Sequence, residues 1–553
     1  MTQLSLSLWT AAIVWIGFLD KAFLHTFIYR PICIAPLVGL MYGNMPMGLI
    51  VGVTVELMFL ATVFVGTVTP PDEVTSAALA AGIACATGNL PAGIACAIPV
   101  GIAGRKLKQI RNNTAFEWTQ KKLDDAAARA SARGILCWAT VVPSFIEGLF
   151  FAVPTFAILY FGTEPIRSIV NRLPYELFLG ILVGSGLVGA VGIAAFLGTI
   201  KDKTAYPYFL IGFAAVAYAG IGITGVAVLT VAVVLLLARA EKNAIGEEIS
   251  RVQSVSSQAD LVAENTTSDA GEARITEVSE DSAITRKRLT RKDLWKTLLY
   301  SLAIESGCST SKQEAPGFTQ AMIPVIERVY ETKEEKAEAY MRHDQLFLTE
   351  GRAAQFIVGV VAKLEEQNGT THDVDPDSIL LYKSALAGPL AGIGDSLLHG
   401  TLRPLAAGIA CALVAASGLA SSVGVFFFLA VMTSAVFAAR YFGFFKGYNE
   451  GLAAIERMQQ SGIVDRITRY ANIASFMLAG AFIPALLRFT LPPVPWRDTY
   501  LNVQGSLDML VPGLIPLLYT LLMYRLIYKK NISPLVLAAL TLALGVLITY
   551  AAA

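Results

Sequence analysis

The sequence predicts an all-α polytopic membrane protein of two helical halves, with broken or re-entrant segments and some amphipathic helices outside the bilayer. Three observations predict it. Of 553 residues, 55% are hydrophobic and only 15% charged, against about 25% charged in an ordinary soluble chain, and the mean hydropathy is +0.58. Apolar stretches near the length of a membrane crossing recur along the chain. Between the two groups of them lies a polar stretch, 243–288, with no aromatic residue.

The first group runs through about 31–67, 76–104, 134–161, 174–200 and 206–239. A straight crossing takes about 20 apolar residues; 206–239 exceeds that and is expected to hold two shorter or broken helices. MTQLSLSLWTAAIVWIGFLD, ahead of them, lacks the basic segment of a signal peptide and reads as a retained first membrane helix. Between apolar runs, 105–133 carries eight basic and three acidic residues, an excess expected on the cytoplasmic side.

The stretch 243–288 is rich in Ser, Thr, Ala, Asp and Glu and cannot bury enough apolar surface to offset its ordering entropy, so it is expected to be a disordered tether. Beyond it, Leu294, Leu298, Leu299 and Leu302, then Met322, Val325, Ile326 and Val329, fall at one-face helical spacing. The block 289–350 is therefore expected to form amphipathic helices at the cytoplasmic surface, with membrane helices resuming over 351–553. The domain boundaries are accordingly 1–242, 243–288 and 289–553.

Composition excludes several classes. A net charge of +1 gives no general attraction to nucleic acid. The six cysteines contain no CxxC pair and there are four histidines, so neither a metal centre nor a disulfide framework is expected, and no cofactor. Nothing resembling GK[ST] closes the glycine-rich segment at 388–400, which excludes a nucleotide-binding loop there.

Gly and Pro inside apolar segments are costly unless the freed backbone lines a cavity, and paired interruptions in two halves mark transport sites. One such cluster runs from Glu56 through Gly66 to Pro70, Pro71, Asp72 and Glu73; the other from Gly388 and Pro389 through Gly392, Gly394, Asp395, Ser396, His399 and Gly400 to Arg403 and Pro404. Ionisable groups beside such breaks are functional candidates because their burial in a membrane costs about 2.5–3.5 kcal/mol on insertion scales. They are Asp20, Arg30, Glu56, Asp72, Asp395 and Arg403. A carboxylate can hold paired sugar hydroxyls or take the proton of an acceptor hydroxyl, which makes Glu56 and Asp395 the candidate catalytic groups. Asp72 after Pro-Pro reads equally as a helix N-cap, Arg30 equally as an interfacial anchor, and Asp395 also as an N-cap after a glycine turn. His399 reads better as packed or interfacial, and His343 as part of a solvated charged face.

On these residues the first half resembles the IIC component of the mannose/fructose/sorbose phosphotransferase family, through Asp20, Tyr29-Arg30-Pro31, Glu56-Leu57, Gly66 and Pro71-Asp72. The second half resembles the IID component through Leu289–Leu294, Gly317-Phe318, Pro324, Arg342-His343, the Gly388–Pro404 string, Arg440-Tyr441 and Gly447-Tyr448. The resemblance implies a multi-pass permease of the bacterial cytoplasmic membrane, fused from two units and assembled as a homo-trimer. It implies a sugar site between the units that includes Asp20, Arg30, Glu56, Gly66, Asp72, Gly394, Asp395, His399 and Arg403. The phosphoryl donor would be a separate phosphorylated IIB (or IIAB) protein, recharged through HPr and enzyme I, with no residue of this chain phosphorylated and no metal bound. The chain would then be an enzyme only as the membrane component of that phosphotransferase complex. The pattern departs from the family at Phe64, at Ser309–Glu314, at Ser396 and at His399, positions that bear on which sugar is carried. The competing readings are an uncoupled facilitator of a free solute and a membrane receptor for a IIB-type protein.

Overall fold

The computed structural model of the chain describes residues 2–60, 70–172, 174–199, 203–260, 288–371, 374–418, 421–451, 453, 463–487, 494–496, 499–501 and 503–552. Helix α1 (Gln3–Ala22) opens at Thr2, whose side chain accepts the Ser5 amide. Two short helices follow, α2 (Pro31–Met41) and α3 (Met45–Met58). At 1.5 Å per residue they span about 17 and 21 Å, well short of a bilayer core of about 30 Å. They turn back on each other at Gly43, which takes φ +72°, and Asn44, which caps Met47 at 3.1 Å.

The same device recurs between α4 (Glu73–Thr87) and α5 (Leu90–Ala128): Gly88 takes φ +70° and Asn89 caps Ala92 at 2.9 Å. Gly43-Asn44-Met45-Pro46-Met47-Gly48 and Gly88-Asn89-Leu90-Pro91-Ala92-Gly93 are one motif used twice. Each residue has a reason: a left-handed C-cap glycine, an N-cap asparagine, and a proline in the first turn, where its missing N–H costs nothing.

Helix α5 continues to Ala128 and returns as α6 (Ala132–Val170), with π-helical turns at Asn112–Phe116, Cys137–Val141 and Gly148–Ala152. The basic stretch 105–133, expected to lie between segments, is thus a helical hairpin. Then come α7 (Tyr175–Thr199), α8 (Tyr206–Ala217) and α9 (Ile223–Asp260). The 206–239 run is broken at Gly220 (φ +64°), as its length required. Helix α9 carries on past position 243 to Asp260, so the first part of the expected tether is helix; 261–287 lie outside the described residues.

The second half opens with α10 (Arg291–Ser301), α11 (Ala315–Ala321), α12 (Ile323–Val329), α13 (Lys333–His343) and α14 (Ala354–Thr371). Capping boxes set two of them, Thr290 with Asp293 and Thr332 with Glu335. These helices are amphipathic, as their one-face spacing suggested. They enclose their own core of Phe318, Met322, Val325, Ile326, Tyr340 and Ile357, which Leu123, Ala127 and Ala139 of the α5–α6 hairpin complete. Most of the apolar stripe meets protein, while Leu299 stays exposed.

Helix α15 (Pro376–Ala416) is continuous, with a π-helical segment over Asp395–Leu402. The break expected at Gly388–Pro404 is therefore absent, and Asp395 starts a π turn inside the helix rather than capping a new one. Pro389 and Pro404 are absorbed, the latter in the first turn of regular helix after the π segment. Next are α16 (Val423–Glu450) and α17 (Ile463–Leu486), then a small hairpin of β1 (Val494–Trp496) with β2 (Thr499–Leu501). Helices α18 (Val503–Leu510) and α19 (Leu514–Lys530) meet at 87°, as a broken or re-entrant pair, before α20 (Pro534–Ala552). Six of the described helices are long and apolar enough to cross a membrane, seven if the bent pair counts as one span.

The halves interlock through helix pairs: α7 against α20 and α8 against α17. Glycine lets the backbones touch, as small residues do in membrane helix packing. A Cβ on Gly212 would run into the Met477 carbonyl, and one on Gly480 into the Phe209 carbonyl. Gly212→Leu is therefore expected to force α8 off α17 and abolish the monodisperse peak in detergent size-exclusion chromatography; an unaltered peak would show that this crossing does not hold the halves together.

Candidate functional site

The junction of the halves is lined with buried charge, and most of it serves the ends of interrupted helices. Helix α1 stops at Ala22 because the chain must turn into α2, which leaves its last carbonyls without intrahelical partners. Arg440 of α16 answers them: its Nη1 donates to the carbonyls of Phe23 and Leu24 at 3.1 and 3.0 Å, while Nη2 lies 3.5 Å from His25 Nδ1. Thr433 adds a bond to the Thr26 carbonyl at 3.2 Å. Cations suit helix C-termini electrostatically.

The loop so held, 23–30, is folded by Asp20, whose Oδ1 accepts from the amide and hydroxyl of Thr26 at 2.8 and 2.7 Å. Two non-glycine residues in it, His25 (φ +52°) and Phe27 (φ +66°), are in the left-handed region, a conformation that persists only where the surroundings enforce it. The Phe27 ring is fully buried between Arg352, whose guanidinium sits 5.4 Å from its centroid, and the rings of Tyr29, His399 and Phe428.

Arg30 closes the loop and forms a buried ion pair with Glu56, its Nε 3.0 Å from Oε1; the other Glu56 oxygen accepts the Ile32 amide at 3.3 Å. Arg30 also donates to the Phe59 carbonyl at 3.3 Å, at the end of α3. The next carbonyl, Leu60, accepts from Arg403 of the second half at 3.3 Å. The two arginines thus share the end of α3 between the halves. Arg403 stands 3.3 Å from His399 Nδ1, whose Nε2 lies 2.8 Å from Arg352. Arg352 pairs with Glu350 and lies 3.6 Å from Glu305, and Glu305 reaches back to His25 of the first half at 3.0 Å. Gly394 is explained by this packing, since a Cβ there would sit 2.7 Å from Glu350 Cβ.

Beyond Arg30 a second line of buried charge continues into the first half. Asp72 caps α4 through the Thr75 amide at 3.2 Å and meets Lys108 at 3.0 Å; Lys21 meets Glu73 at 2.5 Å; Arg111 pairs with Glu147. Several polar atoms of this interior make no hydrogen bond among the described residues: Asp20 Oδ2, Arg30 Nη1 and Glu73 Oε2. Nearly all buried polar groups in proteins are bonded, so open ones ask for a ligand or water.

Of the residues singled out by sequence, Asp20, Arg30, Glu56, Gly394, Asp395, His399 and Arg403 stand along this junction, and Asp72 in the line of charge beyond it. Gly66 lies outside the described residues, as does Phe64. Asp72 is the N-cap that one of its two readings required. Asp395 is half-buried within the field of Glu350, Arg352, Glu305 and Arg403, and its carboxylate makes no hydrogen bond among the described residues. His399 is packed, as expected, but packed between two arginines. His343 is buried rather than solvated, 2.8 Å from Glu365, and its ring is held neutral chiefly by that burial. Missed altogether were His25, Phe27, Glu305, Glu350 and Arg352. No motif flags them; only the charged residues' position beside apolar runs offered a signal.

A family model described as the mannose/fructose/sorbose-family IID component matches residues 288–552, and one described as the sorbose-specific IIC component matches 4–236. The chain is 33% identical over 266 residues to the mannose-specific EIID component of Escherichia coli strain K12, 47% of this chain and 92% of that protein. The chain belongs to the mannose/fructose/sorbose family of phosphotransferase-system permeases. Its first half is 28% identical over 192 residues to the mannose-specific EIIC component of the same strain, 34% of this chain and 71% of that one. A solved complex of the mannose transporter ManYZ with microcin E492 has a chain 31% identical, covering 48% of this chain and 97% of its own, with a TM-score of 0.29. IIC and IID units, borne on separate proteins in these relatives, are here parts of one multi-pass membrane chain, the sugar-translocating component of such a system. The arginine contacts across the junction are thus IID side chains completing the helix ends of a IIC unit.

Proposed function

We propose that this IIC–IID chain binds a hexose-type sugar at the junction around the 23–30 loop and the end of α3, and delivers it phosphorylated. The observation that carries the proposal is the set of open buried groups there. Asp20 Oδ2 and Glu73 Oε2 accept, Arg30 Nη1 donates, and a vicinal diol needs both. Glu56, saturated by Arg30 and the Ile32 amide, acts as a positioning residue. Asp72, tied to Lys108, holds the start of α4 as the site's far wall, and Gly66 belongs to the segment that joins that wall to α3. Arg403 and His399 close the site from the IID side, with Gly394 letting Glu350 in behind them.

Asp395 is proposed as the group that holds the acceptor hydroxyl and takes its proton, because its carboxylate is half-buried without a bond of its own. The phosphoryl group would come from a phosphorylated IIB (or IIAB) protein fed through HPr and enzyme I, and the working unit would be a trimer. The domain division is proposed to be a IIC-like unit, a connecting segment ending near 288 and a IID-like unit. The test offers labelled hexoses and amino sugars to membrane vesicles holding the chain, with and without phospho-IIB. Accumulation of a sugar phosphate only with the donor is expected. Accumulation of free sugar without it would establish an uncoupled facilitator instead, and donor binding with no uptake a receptor.

A further inference from the structure

Three carboxylates of the IID half crowd the back of the junction, and one of them has no countercharge. Glu350 has Arg352 and, at 3.6 Å, His399; Glu305 has His25 at 3.0 Å and Arg352 at 3.6 Å. Glu314 is 6% exposed, and its Oε2 accepts one bond, from the Thr349 amide at 3.1 Å. Among the described residues no cation lies within ion-pair distance of it. The charges facing Glu314 are Glu305 from the 302–314 loop, and Glu350 and Arg352 from the 344–353 loop. The Cys308 thiol faces it as well, and that thiol also feels Arg111 and Glu147 of the IIC half.

A lone buried carboxylate beside two anionic neighbours is far costlier than the neutral acid, so it keeps its proton. Burial, then the Glu305 charge, push Glu314 well above the usual carboxylate range, against the smaller pull of the Thr349 amide and Arg352. Burial would raise Glu350 and Glu305 too, but Arg352 and His399 hold the first low, and His25 and Arg352 the second.

We propose that Glu314 is a proton-binding site of the IIC–IID junction: neutral while the halves are packed, and, on releasing its proton to alkaline solution, the source of a third negative charge that loosens the grip of the IID half on the 23–30 loop. The consequence for transport rests on the sugar reading above; the consequence for stability does not. The sign follows from linkage. A carboxyl whose native pKa is raised gives stability that is complete at acid pH and falls as pH rises through the native value, whereas the depressed Glu305 and Glu350 lose theirs on the acid side. The two effects therefore separate by pH.

The experiment follows thermal unfolding of the purified full-length chain and of Glu314→Gln from about pH 5 to about pH 9, with infrared spectra of both. Wild type should lose more stability toward alkaline pH than Glu314→Gln, and the protonated-carboxyl C=O stretch of wild type at neutral pH should be weaker in the variant. An equal alkaline loss in both proteins, or no difference in that stretch, would overturn the site. Should that variant not fold, Glu314→Asp takes its place: the stretch should shift in frequency, and a spectrum identical to wild type overturns the proposal. In vesicles, sugar phosphorylation at alkaline relative to neutral pH should be severalfold better retained by the variant. If stability shows the alkaline loss and phosphorylation does not, the placing of sugar at this junction fails while the proton site stands.

Discussion

Glu56→Ala is expected to destabilise the protein by about 3–5 kcal/mol, the cost of leaving a buried guanidinium without its partner. Arg30 is fully buried, and Glu56 supplies both its countercharge and the acceptor for the Ile32 amide at the start of α2. Losing it frees the N-terminus of α2 and, through Arg30, the Phe59 carbonyl at the end of α3. Arg30→Ala should cost a similar amount for the mirror reason. The double variant should cost much less than the sum, because neither charge remains to be compensated, and the cycle isolates that coupling. Unfolding of the detergent-purified proteins, followed by heat or denaturant, measures it. Additive single effects would mean that the pair does not act as one unit.

Arg440→Ala should cost about 3 kcal/mol, from two charge-assisted bonds to carbonyls that then have no donor, each such bond being worth about 1.5–3 kcal/mol. The residue belongs to the IID half and the carbonyls, Phe23 and Leu24, to the IIC half. Its loss should therefore appear as loosening between halves before any unfolding within them. Hydrogen exchange should rise in the 23–30 loop, where His25 and Phe27 hold a left-handed backbone only while clamped. Exchange unchanged in that loop would assign its shape to Asp20 and Thr26 alone.

Much of this was legible in the residues. Hydrophobic length gave the membrane class, and the excess length of 206–239 gave its break at Gly220. Asp72 after Pro-Pro read equally as an N-cap and as a site residue, and its bond to the Thr75 amide makes it the cap. The glycine-rich segment 388–404 misled because Gly and Pro break helices in water, whereas here a π segment carries the chain through as one α15. In the 289–350 block, one-face periodicity showed which side of each helix is apolar, not which partner covers it. Glu305, Glu350 and Arg352 were illegible because their meaning lies in partners remote in sequence, such as His25, which lies 280 positions before Glu305. The doubled Gly-Asn-x-Pro-x-Gly hexapeptide was readable and carries the turns of both hairpins.

One sugar site is proposed to be built by both halves. Its most direct test is the equilibrium affinity of a labelled transported hexose for the purified full-length chain and for Arg403→Gln, a IID residue whose guanidinium reaches the Leu60 carbonyl of the IIC unit. Affinity should weaken about tenfold or more, or about 1.4 kcal/mol, with the thermal midpoint of Arg403→Gln showing that the chain is still folded. Wild-type affinity in the folded variant would contradict it, and would place the sugar within the IIC unit alone.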